Sequence, residues 1–385
     1  MKFFDVIVLG GGASGCVCAI SAGRKGQNVA ILDKDNRPAK KILVTGNGRC
    51  NLTNQNMSSI FFNQNIDNFL ERFSSEDTIK FFKQIGLESY VDNEGRIYPL
   101  SNSAKSVTTV LELALEESGV KFFGNTEIQS VKEGNGNFMI KTNDEDYCCH
   151  KLVYALGGKS IDFAKKQFDV EISNPYPSLV ALKTAPTRSL SGSKITNCEV
   201  SLSLPNGKKF KDNGEVLFKD SGLSGICIFN LSARLARIKN FKGTISIDIF
   251  PNKSEKEIEN ILLSRKMLPR KISHIFDGFI LPAIGYEILN RVRLDESLPL
   301  SSLSNDDARS LAKHIKNFTF EVKGTYDNNQ VISGGVKLQS LTKNLESKKF
   351  SNLYFIGEAC DVDGECGGYN LQWAFTSGKI VGDNL

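Results

Sequence analysis

Histidine and tryptophan are scarce in this chain of 385 residues, which has three of the former and one of the latter. The histidines, His150, His274 and His314, lie outside every glycine-rich segment, and we expect each on the surface or in a loop. A metal centre or a Ser-His-Asp hydrolase therefore has little support.

Long apolar runs are missing as well. No stretch reaches the roughly 18 consecutive apolar residues of a membrane span, and the chain starts directly with a strand-like run. We therefore expect a cytoplasmic protein with no membrane partner.

The nine cysteines form no Cys-x-x-Cys pair. Neither a zinc site nor a redox-active disulfide of the usual spacing is predicted. Except for Cys50, we expect them to be reduced and mostly buried.

Charge is spread along the chain. The net charge is +5, and the basic clusters Lys40-Lys41, Lys208-Lys209 and Lys348-Lys349 are short. This argues against a nucleic-acid partner and for a small-molecule substrate, and it leaves the oligomeric state open.

The N-terminal residues follow the order strand, glycine-rich turn, helix, strand and acid. GGGASG spans residues 10–15, and the second strand ends at Asp33. Gly10 would make the tight turn, Gly12 would let N–H groups approach a pyrophosphate, and Gly15 would let the helix pack on the strand. Asp33 would bind the ribose of an adenosine. The pattern predicts a dinucleotide site without choosing between FAD and NAD.

The C-terminal residues favour FAD. A strand at 353–356 is followed by Gly357 and Glu358, and a second glycine-rich turn at 367–368 opens onto a helix. Free N–H groups of residues 368–371 and the helix dipole would stabilise the negative charge of a reduced flavin. A nicotinamide would not need this second cradle. Residues 153–159 repeat the strand-then-glycines pattern, as expected where the chain passes under the cofactor.

Six segments in order carry a family resemblance: GGGASG, KKILVTGNGRCNLTN, ALGGKS, GEVLFKDSGLSG, QVISGGV and LYFIGEACDVDGECGGYNLQWAFTSG. Together they resemble the aminoacetone oxidase-like or BaiN-like (YhiN-like) NAD(P)/FAD-dependent oxidoreductases along essentially the whole chain. The resemblance implies an α/β fold in which a Rossmann-like FAD domain, of the two-dinucleotide-binding type, is interrupted by a β-barrel-like domain and a small helical domain. Asp33 departs from the family's usual Glu, and Leu156 from its common Thr.

The expected domains are 1–183 (FAD-binding, first part), 184–252 (β-rich substrate domain), 253–320 (helical) and 321–385 (return to the FAD domain). The patterns and the resemblance together give these candidate FAD contacts: Gly10, Gly12, Ala13, Ser14, Gly15, Asp33, Lys34, Lys41, Gly46, Gly48, Arg49, Cys50, Asn51, Ile128, Ala155, Gly157, Gly158, Gly357, Glu358, Gly367, Gly368, Asn370 and Leu371.

The pattern of apolar and polar residues changes in the middle of the chain. Alternating apolar and polar residues from 180 to 249 predict antiparallel strands with turns at 205–207 and 212–214. Helical spacing follows at 226–237, 254–263, 281–292 and 306–316, with a capping box at Ser254 and Glu257. Residues 330–336 return to the cofactor domain, and the glycines among residues 333–335 indicate either close approach to the flavin or a β-bulge.

Four side chains have open roles. Cys50 follows Arg49, which would favour a thiolate, but a buried structural thiol is an equal alternative. We expect Arg49 to bind the pyrophosphate rather than a substrate carboxylate. Tyr369 lines the flavin ring or only packs. Residues 119–131 are expected to form a strand pair, with Ile128 near the adenine.

These patterns predict an FAD-dependent oxidoreductase that transfers hydride between a small organic substrate and flavin N5. No second GxGxxG follows a strand, so no dedicated NAD(P)H domain is predicted, and an oxidase of a small amine or amino acid is favoured. The alternatives are a reductase of an unsaturated substrate, with NAD(P)H as transient donor, and a non-catalytic flavin-binding sensor or scaffold. An RNA-modifying flavoprotein would need a continuous basic face, which the scattered charge does not suggest.

Overall fold

The computed structural model describes residues 1–238, 242–327 and 331–385. Gln330, the first residue of the predicted return strand, lies outside this part. The strands are β1 Lys2–Leu9, β2 Val29–Leu32, β3 Thr53–Asn54, β4 Ser89–Val91, β5 Arg96–Pro99, β6 Lys121–Phe123, β7 Ile128–Gly134, β8 Asn137–Thr142, β9 Tyr147–Tyr154, β10 Ile172–Ser178, β11 Leu182–Thr184, β12 Lys194–Ser203, β13 Lys209–Lys219, β14 Gly222–Ser224, β15 Gly243–Asp248, β16 Phe318–Thr325, β17 Val331–Val336 and β18 Leu353–Phe355. The helices are α1 Ala13–Gly23, α2 Asp67–Leu70, α3 Ser75–Gln84, α4 Ala104–Glu117, α5 Ile161–Phe168, α6 Ile226–Leu235, α7 Glu255–Ser264, α8 Pro282–Val292, α9 Asn305–Lys316 and α10 Tyr369–Asn384.

The chain forms two compact units. Unit 1 contains Met1–Tyr176 and Gln330–Leu385, and unit 2 contains Pro177–Asn329. Each unit has its own hydrophobic core.

Unit 1 is built on a mixed sheet of order β6-β2-β1-β9-β8-β7, with β18 beside β9. The strands β6, β2, β1, β9 and β18 run parallel. Residues 6–9 of β1, 152–154 of β9 and the whole of β2 and β18 are buried, as expected where both faces of a sheet are covered. Residues 119–131 do not form the predicted strand pair, because β6 and β7 lie at opposite edges of the sheet.

The helices α1 and α10 pack directly on each other through two glycines. A Cβ at Gly378 would lie 2.4 Å from the carbonyl oxygen of Ser14, and one at Gly382 would lie 2.5 Å from that of Cys18. Larger side chains would force the helices apart, so this approach fixes the last helix against the first.

Unit 2 contains a closed barrel of order β11-β14-β13-β12-β15-β16. The β12–β13 hairpin turns at Leu204–Lys208, as predicted. The second predicted turn, at 212–214, is wrong: these residues lie inside β13, and Gly214 faces a register shift in β12 between Ile195 and Cys198. A glycine at a bulge and a glycine in a turn look alike in sequence.

The helices α7, α8 and α9 follow the barrel strand β15 and complete unit 2. Capping boxes begin two of them, at Ser254 with Glu257 and at Ser304 with Asp307. The predicted fold class, a Rossmann-type α/β unit together with a barrel, is confirmed. Every helix in the described ranges is too short or too polar to cross a membrane.

Candidate functional site

The parallel strands of unit 1 end at one level. Leu9 is in register with Leu32 and Tyr154, and Tyr154 is in register with Phe355. The loops that follow are tied to neighbouring strands, since the Ala155 N–H donates to Leu9 O at 2.8 Å and the Ile356 N–H to Tyr154 O at 3.1 Å. The segments beginning at residues 10, 33, 155 and 356 therefore meet at the carboxyl edge of the sheet, where open α/β sheets bind ligands.

The first of these loops has the glycines that a phosphate cradle needs. A Cβ at Gly15 would lie 2.0 Å from Gly10 O, so only glycine lets α1 begin so close to β1. A Cβ at Gly12 would meet nothing within 4 Å, so the backbone there faces open space. Ala13 and Ser14 begin α1, whose free N–H groups favour an anion at this point.

Asp33 organises this turn. Its Oδ2 accepts the Gly11 N–H at 2.5 Å, and its Oδ1 accepts the Asp35 N–H at 2.8 Å. Each oxygen keeps a further lone pair, so ribose binding by Asp33 stays a prediction. Lys34 is exposed beside it. Ile128 is half-buried two residues after Thr126, whose N–H donates to Asp33 O at 2.8 Å.

The ion pair between Lys41 and Glu358 joins two predicted contacts that are distant in sequence. Their Nζ and Oε2 atoms are 2.7 Å apart. Glu358 also faces Gly157, where an added Cβ would lie 3.5 Å from Oε2. A Cβ at Gly158 would lie 2.6 Å from the Cβ of Ile332. The strand-end turns and the Lys41 loop thus surround one acid.

The loop from Gly46 to Asn51 contains a buried polar atom without a partner in the described part of the chain, Asn51 Oδ1. A buried amide oxygen left unpaired is costly, so its presence indicates a ligand donor. A glycine is required at position 46, because an added Cβ would lie 2.6 Å from the backbone nitrogen of Asn51. Gly48 is exposed in the same turn. The ring N–H of a flavin is a donor of the required kind, so these residues fit FAD.

Arg49 lies over an aromatic ring. Its guanidinium carbon is 4.4 Å from the Tyr98 ring centroid, and Nη2 is 3.4 Å from Tyr98 Oη. Sequence reasoning missed Tyr98, which is 49 residues away on β5. Pyrophosphate binding by Arg49 stays a prediction.

Cys50 is fully buried, and burial raises the pKa of its thiol to about 12. Of the two alternatives for Cys50, the buried thiol agrees with the structure, because the loss of solvation raises the pKa of the thiol. Cys50 is a neutral thiol at physiological pH.

The N-terminus of α10 is held rigidly. A Cβ at Gly368 would lie 2.6 Å from the Thr53 carbonyl, so this glycine lets the turn pack on β3. Asn370 Oδ1 accepts the Gly364 N–H at 2.9 Å, and its Nδ2 donates to Gly364 O at 2.7 Å. Asn370 therefore stabilises the loop that contains Gly367, and half-buried Leu371 follows it.

Tyr369 is buried among aromatic rings. It stacks on Phe61 with centroids 4.6 Å apart and meets Phe62 edge-on at 5.9 Å. Burial and the charge of Glu365 raise the pKa of Tyr369 to about 12. The packing alternative describes this ring.

A buried polar network behind this turn was not predicted. The Gln372 side chain accepts from Thr53 at 2.6 Å and from Thr78 at 3.0 Å, and it donates to Phe73 O at 3.2 Å. The Gln within GGYNLQWA was the only signal. The next helical turn holds Gly357, whose N–H donates to Ser377 Oγ at 2.9 Å and whose oxygen accepts from Trp373 at 3.0 Å.

The return strand β17 explains its glycines without a ligand. A Cβ at Gly334 would lie 2.4 Å from Asn174 O, and one at Gly335 would lie 2.6 Å from the carbonyl carbon of Cys360. The two glycines are needed for backbone packing within unit 1, and no approach to a flavin is required to account for them.

Comparison with known proteins identifies the family. The HI0933-like protein Rossmann domain matches residues 4–384. The chain belongs to this family. A curated relative, the 3-dehydro-bile acid delta(4,6)-reductase of Clostridium scindens, is 30% identical, and the match covers 97% of both chains. The ribosomal RNA dihydrouridine synthase of Escherichia coli K12 is 28% identical, with 100% of this chain and 98% of that protein covered.

A solved structure shares the fold. The 3-ketosteroid-delta4-(5alpha)-dehydrogenase of Rhodococcus jostii RHA1 superposes with a TM-score of 0.51 at 12% identity, covering 99% of this chain and 96% of that one. With its family and this fold, the protein is an FAD-dependent oxidoreductase. Residues at the carboxyl edge of the unit 1 sheet would hold the cofactor.

Proposed function

We propose that this protein is a reductase that saturates a ring carbon–carbon double bond conjugated to a carbonyl group, with NADH or NADPH as electron donor. The observation that carries the proposal is the reaction shared by two relatives that align along nearly their whole length. A delta(4,6)-reductase and a dihydrouridine synthase both add hydrogen to such a bond, although their ring substrates differ. The proposal takes up the reductase alternative, whereas the sequence favoured an amine or amino acid oxidase.

The two candidate catalytic side chains are both buried and do not provide the base that oxidation of an amine needs. Cys50 and Tyr369 each have a pKa raised to about 12, so both are protonated at neutral pH and neither is a base. Reduction requires a proton at the carbon next to the carbonyl, whereas oxidation of an amine requires a proton to be removed.

The remaining residues bind and orient. When bound, FAD supplies hydride transfer. Asn51 Oδ1 would accept from the ring, and the first-turn N–H groups of α10 would stabilise negative charge on it. The Lys41–Glu358 pair closes one wall of the site.

Of the two ring substrates, we favour uracil in ribosomal RNA. Unit 2 carries 23 Lys and Arg against 16 Asp and Glu, a net charge of +7, whereas unit 1 has a net charge of −2. The expectation of no nucleic-acid partner relied on the charge of the whole chain, in which this contrast is averaged out. A polyanion would bind the basic unit.

Anaerobic stopped-flow of the purified holoprotein tests the proposal. NADH or NADPH should bleach the flavin absorbance, and ribosomal RNA from a strain without its own dihydrouridine synthase should restore it, with dihydrouridine detected by mass spectrometry. Fully modified ribosomal RNA is the control. If a 4-ene-3-ketosteroid restores the absorbance and RNA does not, the substrate is a steroid-like ring and not uracil in RNA. Bleaching by aminoacetone or amino acids, with reoxidation by oxygen alone, would overturn the reductase.

A further inference from the structure

We propose that unit 2 binds RNA through one exposed basic and apolar surface, here called the 265–271 surface, which consists of Lys266, Met267, Leu268, Arg270, Lys271 and Leu298. The identity of the ligand rests on the proposed function. The surface itself rests on the following contacts within unit 2.

The backbone of this surface is held by pairing with a second segment. After α7 the chain makes a 3₁₀ turn at Arg265–Met267 and then runs antiparallel to residues 298–300. The Leu300 N–H donates to Arg270 O and the Ile272 N–H donates to Leu298 O, each at 2.8 Å. These two bonds hold the backbone on either side of Lys271, and within the turn the Leu268 N–H donates to Arg265 O at 2.9 Å.

Its cations are available to a ligand. Lys266, Arg270 and Lys271 form no ion pair with any described residue, and the last two are exposed. Arg265 has a different role: its Nη1 donates to Ile275 O at 2.8 Å and Asp277 O at 3.0 Å, which anchors the turn. Three cations within six residues thus remain for phosphates.

The nearby carboxylates are engaged or peripheral. Asp277 bonds to His274 at 2.8 Å, and Asp295 accepts from the backbone and hydroxyl of Ser297. Glu296 lines a pocket together with Ser273 and Tyr286, to which none of the six surface residues contributes. These acids leave the 265–271 segment itself without a negative charge.

Exposed apolar side chains lie among the cations. Met267 is 90% exposed, Leu298 44% and Leu268 38%. Tyr286, 56% exposed, lines the same shallow pocket as Ser273 and Glu296, and the Ser273 N–H donates to Glu296 O at 3.1 Å. Single exposed apolar residues are common, but Met267 and Leu268 lie in the same six-residue segment as three cations.

Charge and shape together favour single-stranded RNA over other partners. Unpaired bases offer apolar faces for Met267, Leu268 and Leu298, while the phosphates match Lys266, Arg270 and Lys271. An acidic peptide or an anionic membrane would use the cations too, so the experiment includes both.

The test is a salt titration of RNA affinity. The holoprotein, a Lys266→Gln/Arg270→Gln/Lys271→Gln variant and a charge-matched control, Lys105→Gln/Lys132→Gln/Lys141→Gln in unit 1, are titrated with fluorescein-labelled poly(U) and with ribosomal RNA. We expect the 265–271 variant to bind at least about tenfold more weakly at about 0.1 M salt, with the slope of log K against log salt reduced by about 2. The control should lose much less.

A second variant separates the apolar contribution. Met267→Ser/Leu268→Ser should weaken binding while leaving the salt slope unchanged, because no phosphate contact is removed. The proposal would be overturned if the 265–271 variant and the unit 1 control lost RNA affinity equally, or if the 265–271 variant kept its RNA affinity. The proposal would also be overturned if the 265–271 variant lost binding to phosphatidylglycerol vesicles or to poly-glutamate but kept its binding to RNA. Binding is measured without turnover, so an inactive reductase that still binds RNA here would refute only the proposed reaction.

Discussion

The two units of this chain differ in net charge, which is −2 for unit 1 and +7 for unit 2. In unit 1, Gln372 bonds to three threonines in the interior, Asp33 fixes the glycine turn, and the exposed Lys41 pairs with Glu358. In unit 2 the apolar side chains of the barrel and helices form the core, and the excess of positive charge lies outside it.

This difference separates positioning from partner binding. Buried polar networks are favourable only when every member is satisfied, so those of unit 1 hold backbone turns in one arrangement. Free surface cations add little to stability, and they remain available to attract an anion. Four experiments test this division, from the largest expected effect to the smallest.

Gly15→Ala should abolish flavin retention and destabilise unit 1, because the new Cβ would lie 2.0 Å from Gly10 O. Flavin content per protein and urea unfolding measure both effects. Gly134→Ala is the control, since a Cβ there meets nothing within 4 Å. Unit 2 should unfold as before; full flavin content in Gly15→Ala would contradict the assignment of the cradle.

Gln372→Leu should destabilise unit 1 by about 3 kcal/mol, because it leaves Thr53, Thr78 and the Phe73 carbonyl without a shared partner. Gln84→Leu, at an exposed position of α3, should stay within about 0.5 kcal/mol. Urea denaturation of the two apoproteins compares them. Equal stabilities would show that the network does not hold the start of α10.

Cysteine labelling should distinguish the units in one experiment. Eight of the nine cysteines are buried, and only Cys366 is partly accessible. One thiol should therefore react quickly at pH 8. The other eight thiols should be labelled only when the protein unfolds. One of them is Cys227, for which burial raises the pKa to about 12.

Adding FAD at about 100 times its Kd should slow labelling of Cys360 by about a hundredfold, since ligand binding stabilises only the folded form. Cys198 and Cys227 of unit 2 should keep their rates. Because the folded pKa of Cys227 is raised, stability is present below its ordinary value of 9.0 and falls as pH rises from there towards 12. Equal protection of both units by FAD would remove the contrast between them.

Asn51→Leu should raise the stability of the apoprotein and lower its affinity for FAD. Removing the unpaired Oδ1 should stabilise the apoprotein by about 1 kcal/mol, while FAD should bind about tenfold more weakly. Asn54→Leu is the matched control, because Asn54 bonds to Gly367 O at 3.0 Å and its loss should destabilise the apoprotein. Thermal melts and fluorescence titration with FAD give both values; a destabilised Asn51→Leu apoprotein would mean that Oδ1 serves the fold.

The predictable part of the fold is local in sequence. The order strand, GGGASG, helix and strand is sufficient to predict the first strand–turn–helix–strand unit. Ser254 with Glu257 is likewise sufficient to predict the start of α7. The 212–214 turn failed because Gly214 relaxes a bulge, and only its partner strand β12 reveals that. The separation of β6 and β7 likewise depends on which strands lie between them.

For the site, the sequence named segments but not their contacts. Lys41 and Glu358 were both expected near the cofactor, yet their pairing spans 317 residues and follows from the fold. The contact of Arg49 with Tyr98 is similar. The sequence left the protonation state of Cys50 open, because the burial that raises its pKa depends on the fold. Proximity along the chain is a poor guide to solvation.

The crossing of α1 and α10 joins residues that a ribosome makes at widely separated times. Every residue of unit 2 has been synthesised before β18 can pair with β9 or α10 can reach α1. Unit 2 can therefore fold during translation, whereas the carboxyl edge of unit 1 forms only when the last helix emerges. Unfinished chains would contain a folded barrel but no flavin, so cofactor colour reports that synthesis has reached the final helix.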